Sequence, residues 1–261
     1  MRSISVVIPA LNESKNIGHV LDGLPDFVTE VILVDGGSSD DTVAVAEAHR
    51  PDIKLIPQTT PGKGAAMVAG MIVSSSDIVV LLDADGSMNP AELQSMVEVL
   101  CEGADVAKGS RGLPGGGSMD FTPIRKLGNT VLTKIANVLY GVQWTDFAYG
   151  YFALWTDVLP VLNLASLLED ADHPLESHDG LRHRPRKLGH GFEIEALVFC
   201  RSARRGMKVV EVPSHEELRR HGTSNLKAFK DGVRVGLALL VERLRSRNSP
   251  VQLDRTLRPD P

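Results

Sequence analysis

The chain has 261 residues, 43% of them hydrophobic and 23% charged, with a formal net charge of -5. That balance gives one α/β domain with a sizeable core and no basic field to recruit nucleic acid, and no uncharged apolar stretch reaches the ~18 to 20 residues that cross a bilayer. Pro9 stops the first apolar run before it reaches signal-peptide length, so a cytoplasmic protein is expected. Residues 4–8, 31–34, 53–56 and 78–82 read as strands of a mostly parallel central sheet. Between them Ile17, Val20, Leu21 and Leu24 recur at helical spacing, as do Leu93, Met96, Val97 and Leu100. Asn89 is placed to cap the second of these helices, with Pro90 at its first position.

After residue 108 the alternation ends in a glycine-rich loop, 112–117, which is expected to move. A helix over 124–139 and an aromatic strand around 149–155 follow. Residues 166–191 read as a polar surface insertion in which His173, His178, His183 and His190 are solvated, since none has metal-motif spacing. Next come a helix over 193–205, a strand over 209–212 ending at Pro213, a basic amphipathic helix over 226–247 and a disordered tail, 248–261. The single domain, 1–247, divides into a donor half, 1–115, and an acceptor half, 116–247. Cys101 and Cys200, without CxxC spacing, read as reduced buried thiols.

In an open parallel sheet, ligands bind beyond the carboxyl ends of the strands. The segments there are Pro9-Ala10-Leu11-Asn12-Glu13, Asp35-Gly36-Gly37-Ser38-Ser39-Asp40 and Asp83-Ala84-Asp85-Gly86-Ser87. Three acidic, Gly- or Ser-rich termini on one edge suit a ligand bearing hydroxyls and phosphates. In an extended Asp83-Ala84-Asp85 the two carboxylates project to the same side and repel. A Mg²⁺ or Mn²⁺ ion shared with a diphosphate relieves that repulsion.

Together with Gly62-Lys63-Gly64 and the run Lys108-Gly109-Ser110-Arg111, these segments resemble the family-2 glycosyltransferases of the GT-A fold. The later segments, Phe192 to Glu195, Val210 to Pro213 and Arg220 to Leu226, resemble the polyprenyl-phosphate mannosyl- and glucosyltransferase branch more loosely. The resemblance implies metal-dependent, inverting transfer from a nucleotide sugar to an acceptor such as a lipid phosphate or a glycan. It assigns Pro9, Asn12, Glu13, Asp35, Ser38, Lys63, Asp83 and Ala84 to the nucleotide sugar, and Asp83 and Asp85 to the metal. Arg111 becomes a diphosphate or acceptor-phosphate contact, and Asp146, Arg125 and Arg220 become acceptor candidates. His221 is either a further metal ligand or part of a phosphate-binding loop with Arg219 and Arg220.

A general base falls to Glu195 or Glu193, unless the acceptor is an ionised phosphate that needs none. The aromatics from Trp144 to Trp155 are either an acceptor-side wall or core. The last helix either packs on its own domain or lies on an anionic membrane as a peripheral contact. Two competing readings are a sugar nucleotidyltransferase and a non-catalytic nucleotide-sugar-binding partner of a membrane complex; oligomeric state is not readable.

Overall fold

The computed structural model describes residues 2–168, 187–223, 228–245, 253 and 258. Its strands are β1 (Ile4–Ala10), β2 (Glu30–Asp35), β3 (Lys54–Pro57), β4 (Ile78–Leu81), β5 (Val106–Ser110), β6 (Gly117–Ser118), β7 (Phe152–Trp155), β8 (Val209–Pro213) and β9 (His215–Glu216). Seven of them form one sheet in the order β3-β2-β1-β4-β7-β5-β8, while β6 and β9 pair separately. Within the large sheet β7 alone runs antiparallel, between β4 and β5. The helices are α1 (Ile17–Asp22), α2 (Thr42–His49), α3 (Lys63–Val73), α4 (Leu93–Cys101), α5 (Pro123–Tyr140), α6 (Leu159–Leu162), α7 (Ile194–Arg204) and α8 (Ala228–Leu244).

Helices flank the sheet, which is why its strands are near-continuous apolar runs rather than alternating ones. Val6, Val7, Ile8, Ile32, Leu33, Val79 and Val80 are all fully buried. Helix α3 lies so close to β1 that a Cβ on Gly70 would stand 2.3 Å from Val7 Cγ1. Helix α5 begins where the Thr122 hydroxyl accepts from Arg125 N at 3.3 Å. It ends where Gly141 takes a left-handed conformation, φ 68°.

The four expected amino-terminal strands form, and α5, α7, β8 and α8 fall where the patterns put them. Asn89 caps a 3-10 turn, Pro90–Glu92, which runs on into α4 at Leu93. The aromatic strand is shorter than expected: residues 149–151 lie outside it, and β7 starts at Phe152. The end of the glycine-rich loop pairs as β6 with β9. His190 departs from the solvated reading, being buried with its Nε2 2.8 Å from the Leu167 carbonyl. His173, His178 and His183 lie outside the described residues. Both cysteines are free, Cys200 buried and Cys101 partly exposed. Of the tail, Leu253 packs against the core and Arg258 pairs with Asp105 at 2.9 Å and Asp157 at 3.0 Å.

Two helices keep an uncovered apolar side. On α5, Ile124, Leu127, Val131, Ile135 and Val138 are exposed, and on α8 so are Phe229, Val233, Leu237, Leu240 and Leu244. The helices lie side by side, with the Tyr140 hydroxyl donating to the Leu239 carbonyl at 2.7 Å. The inner side of α8, carrying Val235, Ala238 and Leu239, is buried in the domain. Helix α8 therefore packs on its own domain with one face and leaves the other open. No helix among the described residues is long and apolar enough to cross a membrane.

Candidate active site

The carboxyl edge of the sheet is where β1, β2 and β4 deliver their polar termini. The loops after β1 and β2 are tied to each other. Asn12, at φ 57° in the left-handed region that few non-glycine residues enter, donates its N–H to the Ser38 hydroxyl at 2.9 Å. Its side-chain oxygen accepts from Ser39 N at 2.8 Å. Asp35 accepts from Gly37 N at 3.1 Å, from Ser38 N at 3.1 Å and from the Ser38 hydroxyl. Glu13 is buried, and its N–H donates to Thr42 Oγ1 at 2.8 Å. The Glu13 carboxylate accepts from Asn16 at 2.6 Å and from Arg219 at 2.8 Å.

At the end of β4, Lys63 Nζ is 2.8 Å from both oxygens of Asp83 and 3.5 Å from Glu195 Oε1. It also lies 5.3 Å from the centre of the Phe192 ring. Burial alone would lower the lysine pKa, but the charges of Asp83 and Glu195 outweigh it and hold the group above its ordinary range. The Asp83 carboxyl is raised by burial and by Asp85, against the pull of Lys63. The Glu195 carboxyl is likewise raised, by burial and then by Asp83, with Lys63 opposing. Gly150 makes room for that carboxylate, since a Cβ there would meet Glu195 Oε1 at 2.3 Å. Asp85 accepts from Ser87 N at 3.0 Å and faces Arg219 Nη2 at 3.3 Å.

The structure separates the remaining candidates. Glu193 is fully buried; it accepts from Gly189 N at 3.0 Å and Gly191 N at 3.3 Å, and is paired with Arg234 of α8. It joins a loop to a helix, so of the two glutamates only Glu195 faces Lys63 and Asp83.

Arg111 corrects the expectation of an open phosphate contact. Its Nε and Nη2 hold Asp146 at 2.7 and 3.0 Å, its Nη1 holds Glu216 at 2.9 Å, and Nη2 also donates to the Ala148 carbonyl at 2.7 Å. The guanidinium lies between Phe121 and Tyr149, with 3% of the side chain exposed. Asp146 is correspondingly buried, also accepting from Asn129 at 2.9 Å, and is not open to an acceptor. Trp144, Phe147, Tyr149, Tyr151, Phe152 and Trp155 are all buried, which makes them core rather than an acceptor wall.

Arg125, in the first turn of α5, pairs with Asp120. Arg220 is exposed beside Gly86, its N–H 3.4 Å from the Asp85 carbonyl. His221 is exposed, and its carbonyl accepts from Asn16 at 3.2 Å. Among the described residues no three His, Cys, Asp or Glu side chains gather as a metal-holding group, so His221 does not join Asp83 and Asp85 in one.

Asp83 and Asp85 are the side chains that could hold a magnesium-type ion, since such ions use one or two carboxylates and take the rest from phosphate and water. Arg219 Nε is buried with no acceptor, a donor suited to a phosphate oxygen at the same place.

The model of glycosyl transferase family 2 matches residues 5–160. The chain belongs to that family. This family-2 glycosyltransferase is 30% identical to the undecaprenyl-phosphate mannosyltransferase of Micrococcus luteus, over 94% of its own length and 98% of that protein's. It is 32% identical to the polyprenol monophosphomannose synthase of Mycolicibacterium smegmatis, covering 85% of this chain and 80% of that one. These relatives support the polyprenyl-phosphate branch. Glucosyl-3-phosphoglycerate synthase of Mycobacterium tuberculosis, solved with Mn²⁺, UDP and glucosyl-3-phosphoglycerate, superposes with a TM-score of 0.66 at 24% identity. That match covers 92% of this chain and 80% of the other, and it identifies the fold as GT-A.

Sequence reasoning gave Arg219 only a share in a phosphate loop and missed Glu216 and Gly150 altogether. Arg219 is 206 residues from Glu13, and no local spacing signals a contact of that kind.

Proposed function

We propose that this glycosyltransferase moves a hexose from a nucleoside-diphosphate sugar to a polyprenyl phosphate at a membrane surface. Mg²⁺ or Mn²⁺ would be held by Asp83 and Asp85. The observation that carries the reading is the convergence of Asp83, Asp85, Lys63, Glu195 and Arg219 on one sheet edge. A bound dication there would neutralise charge on the departing diphosphate. The tied loops of Pro9, Asn12, Glu13, Asp35 and Ser38 shape the nucleoside side, and Ala84 sits between the two aspartates.

The acceptor oxygen attacks the anomeric carbon as the bond to the diphosphate oxygen breaks, which inverts configuration there. A phosphate acceptor has already lost its proton near neutral pH, so it requires no base. Glu195 then acts by holding Lys63 in place. With a hydroxyl acceptor the same carboxylate would take the proton, and its raised pKa suits it to that task. Arg220, exposed beside Gly86, is a cation available to an incoming acceptor phosphate.

The lipid acceptor is supported by the two relatives' printed activities and by the open apolar faces of α5 and α8. Helix α5 carries Arg125, Lys126 and Lys134 and no acidic residue, in a chain of net charge -5. Local charge and apolar surface together suit an anionic bilayer.

Purified protein with UDP-, GDP- and dTDP-hexoses, Mn²⁺ and undecaprenyl phosphate in vesicles is expected to yield an organic-extractable sugar lipid. Asp85→Ala should lower that turnover by about a hundredfold or more. Unchanged turnover in this variant, or no sugar lipid from any donor, would count against the reading.

A further inference from the structure

Arg219 bridges two of the three loops that meet at the site. Its Nη1 is 2.8 Å from Glu13 Oε1, after β1, and its Nη2 is 3.3 Å from Asp85 Oδ2, after β4. A further Nη1 contact, 3.5 Å to the His221 carbonyl, is at the limit of a hydrogen bond, and Nε has no partner. The backbone around it is anchored to the same loop: Glu217 N donates to the Ser87 carbonyl at 2.8 Å, and Arg220 N reaches the Asp85 carbonyl at 3.4 Å. The guanidinium is thus held at the site by its main chain and by a firm bond to Glu13, while its contact with Asp85 is longer and its Nε has no acceptor.

Asp83 is different. Its cation, Lys63, stands at the start of a buried helix and is fixed by two carboxylates and an aromatic face. Lys63 is thus tied to Asp83 by several contacts, whereas Arg219 lies on Asp85, where a dication would compete with it directly. A dication and a guanidinium sharing one carboxylate repel each other, and water screens that repulsion only in part at so sheltered a position.

We propose that Arg219 is the counter-cation of the donor-free enzyme. It neutralises Asp85 and Glu13, opposes binding of Mg²⁺ or Mn²⁺ alone, and turns onto the diphosphate when the donor enters with its metal. The orphaned Nε and the two Nη groups then find phosphate oxygens, which a planar guanidinium holds in pairs. Metal and nucleotide binding become mutually dependent, because each removes the cost that Arg219 imposes on the other. The inference rests on the reading of Asp85 as the metal carboxylate.

Mn²⁺ binding to the full chain, followed by loss of the free-ion electron paramagnetic resonance signal, tests it without turnover. Wild type, Arg219→Met, Arg219→Lys and Asp85→Asn are compared in the absence of nucleotide, then with UDP and with GDP. Arg219→Met is expected to bind Mn²⁺ alone about tenfold or more tightly than wild type, with Arg219→Lys near wild type and Asp85→Asn losing the site. With the nucleoside diphosphate present, the advantage of Arg219→Met should vanish or reverse. Arg219→Gln keeps a donor for Glu13 without the charge, and gives the same comparison if the Met variant does not hold its fold. Equal or weaker Mn²⁺ affinity in the neutral variants overturns the counter-cation role and leaves the metal reading standing. Wild type that fails to bind Mn²⁺ both with and without nucleotide removes the metal reading itself.

Discussion

Glu195 and Glu193 stand two residues apart and serve different ends. Glu195 lies at the start of α7, facing Lys63 across the space that Gly150 leaves, whereas Glu193 is spent on Arg234 and two loop amides. At saturating donor, Glu195→Gln is expected to lower kcat about tenfold or more while its melting temperature stays close to wild type. Glu193→Gln should show mainly as a lower melting temperature, and the opposite pattern would reassign the two. Arg111 makes a third case at this scale. Arg111→Met leaves Asp146 and Glu216 buried without their cation, and urea denaturation is expected to show a loss of about 3–5 kcal/mol. A loss well below that, with turnover strongly reduced, would return Arg111 to the ligand.

Helices α5 and α8 carry the argument about where the enzyme works. Their exposed apolar residues lie on neighbouring elements, and α5 begins at Pro123, close in sequence to Phe121, which stacks on Arg111. Replacing Leu127 and Val138, 67% and 84% exposed, by Gln removes apolar area that contributes nothing to the core. Such a double variant should float less with vesicles containing anionic lipid, at an unchanged melting temperature and unchanged Mn²⁺ binding. Equal flotation would mean that these helices do not make the contact.

The elements themselves were legible in the sequence wherever burial imposes a pattern. β1, β2 and β4 are apolar because helices cover both faces, and their polar sequels stand out against that background. The partners of the polar residues were not legible. Lys108-Gly109-Ser110-Arg111 reads the same whether its arginine meets a phosphate or Asp146, which arrives 35 residues later on a different segment. The aromatics before β7 were equally undecided, because stacking on a ligand and filling a core call for the same residue types. Arg219 was the least legible of all, since its role depends on a contact spanning most of the chain.

Across the whole molecule the acidic groups divide by environment. Burial raises Asp83, Glu195 and Glu92, each against opposing cations or hydrogen bonds. Elsewhere burial is outweighed. Hydrogen bonds and charge from Arg111 hold Asp146 below the ordinary carboxylate range, and those from Arg234 do the same for Glu193.

A depressed carboxylate binds its proton later in the folded chain than in the unfolded one. Its contribution is therefore complete above the unfolded value and lost as pH falls through the folded value. The share of the urea midpoint owed to Asp146 and Glu193 should hold from about pH 7 to the ordinary carboxylate range near 4 and then drop, whereas the raised carboxyls add stability as they take up protons above that range. Asp146→Asn should begin lower at neutral pH and fall less steeply on acidification. A variant curve parallel to wild type would show that Asp146 is not part of the acid response.

The reversed strand β7 has a consequence for how the chain comes to be folded. It is inserted between β4 and β5, both drawn from the first 110 residues, yet it is itself supplied only at 152–155. Until that later segment is in place, the edges of β4 and β5 that face it lack the partner they have in the folded chain. Residues 1–110 alone thus leave the central sheet open between β4 and β5, and its middle is closed only by a strand from later in the chain.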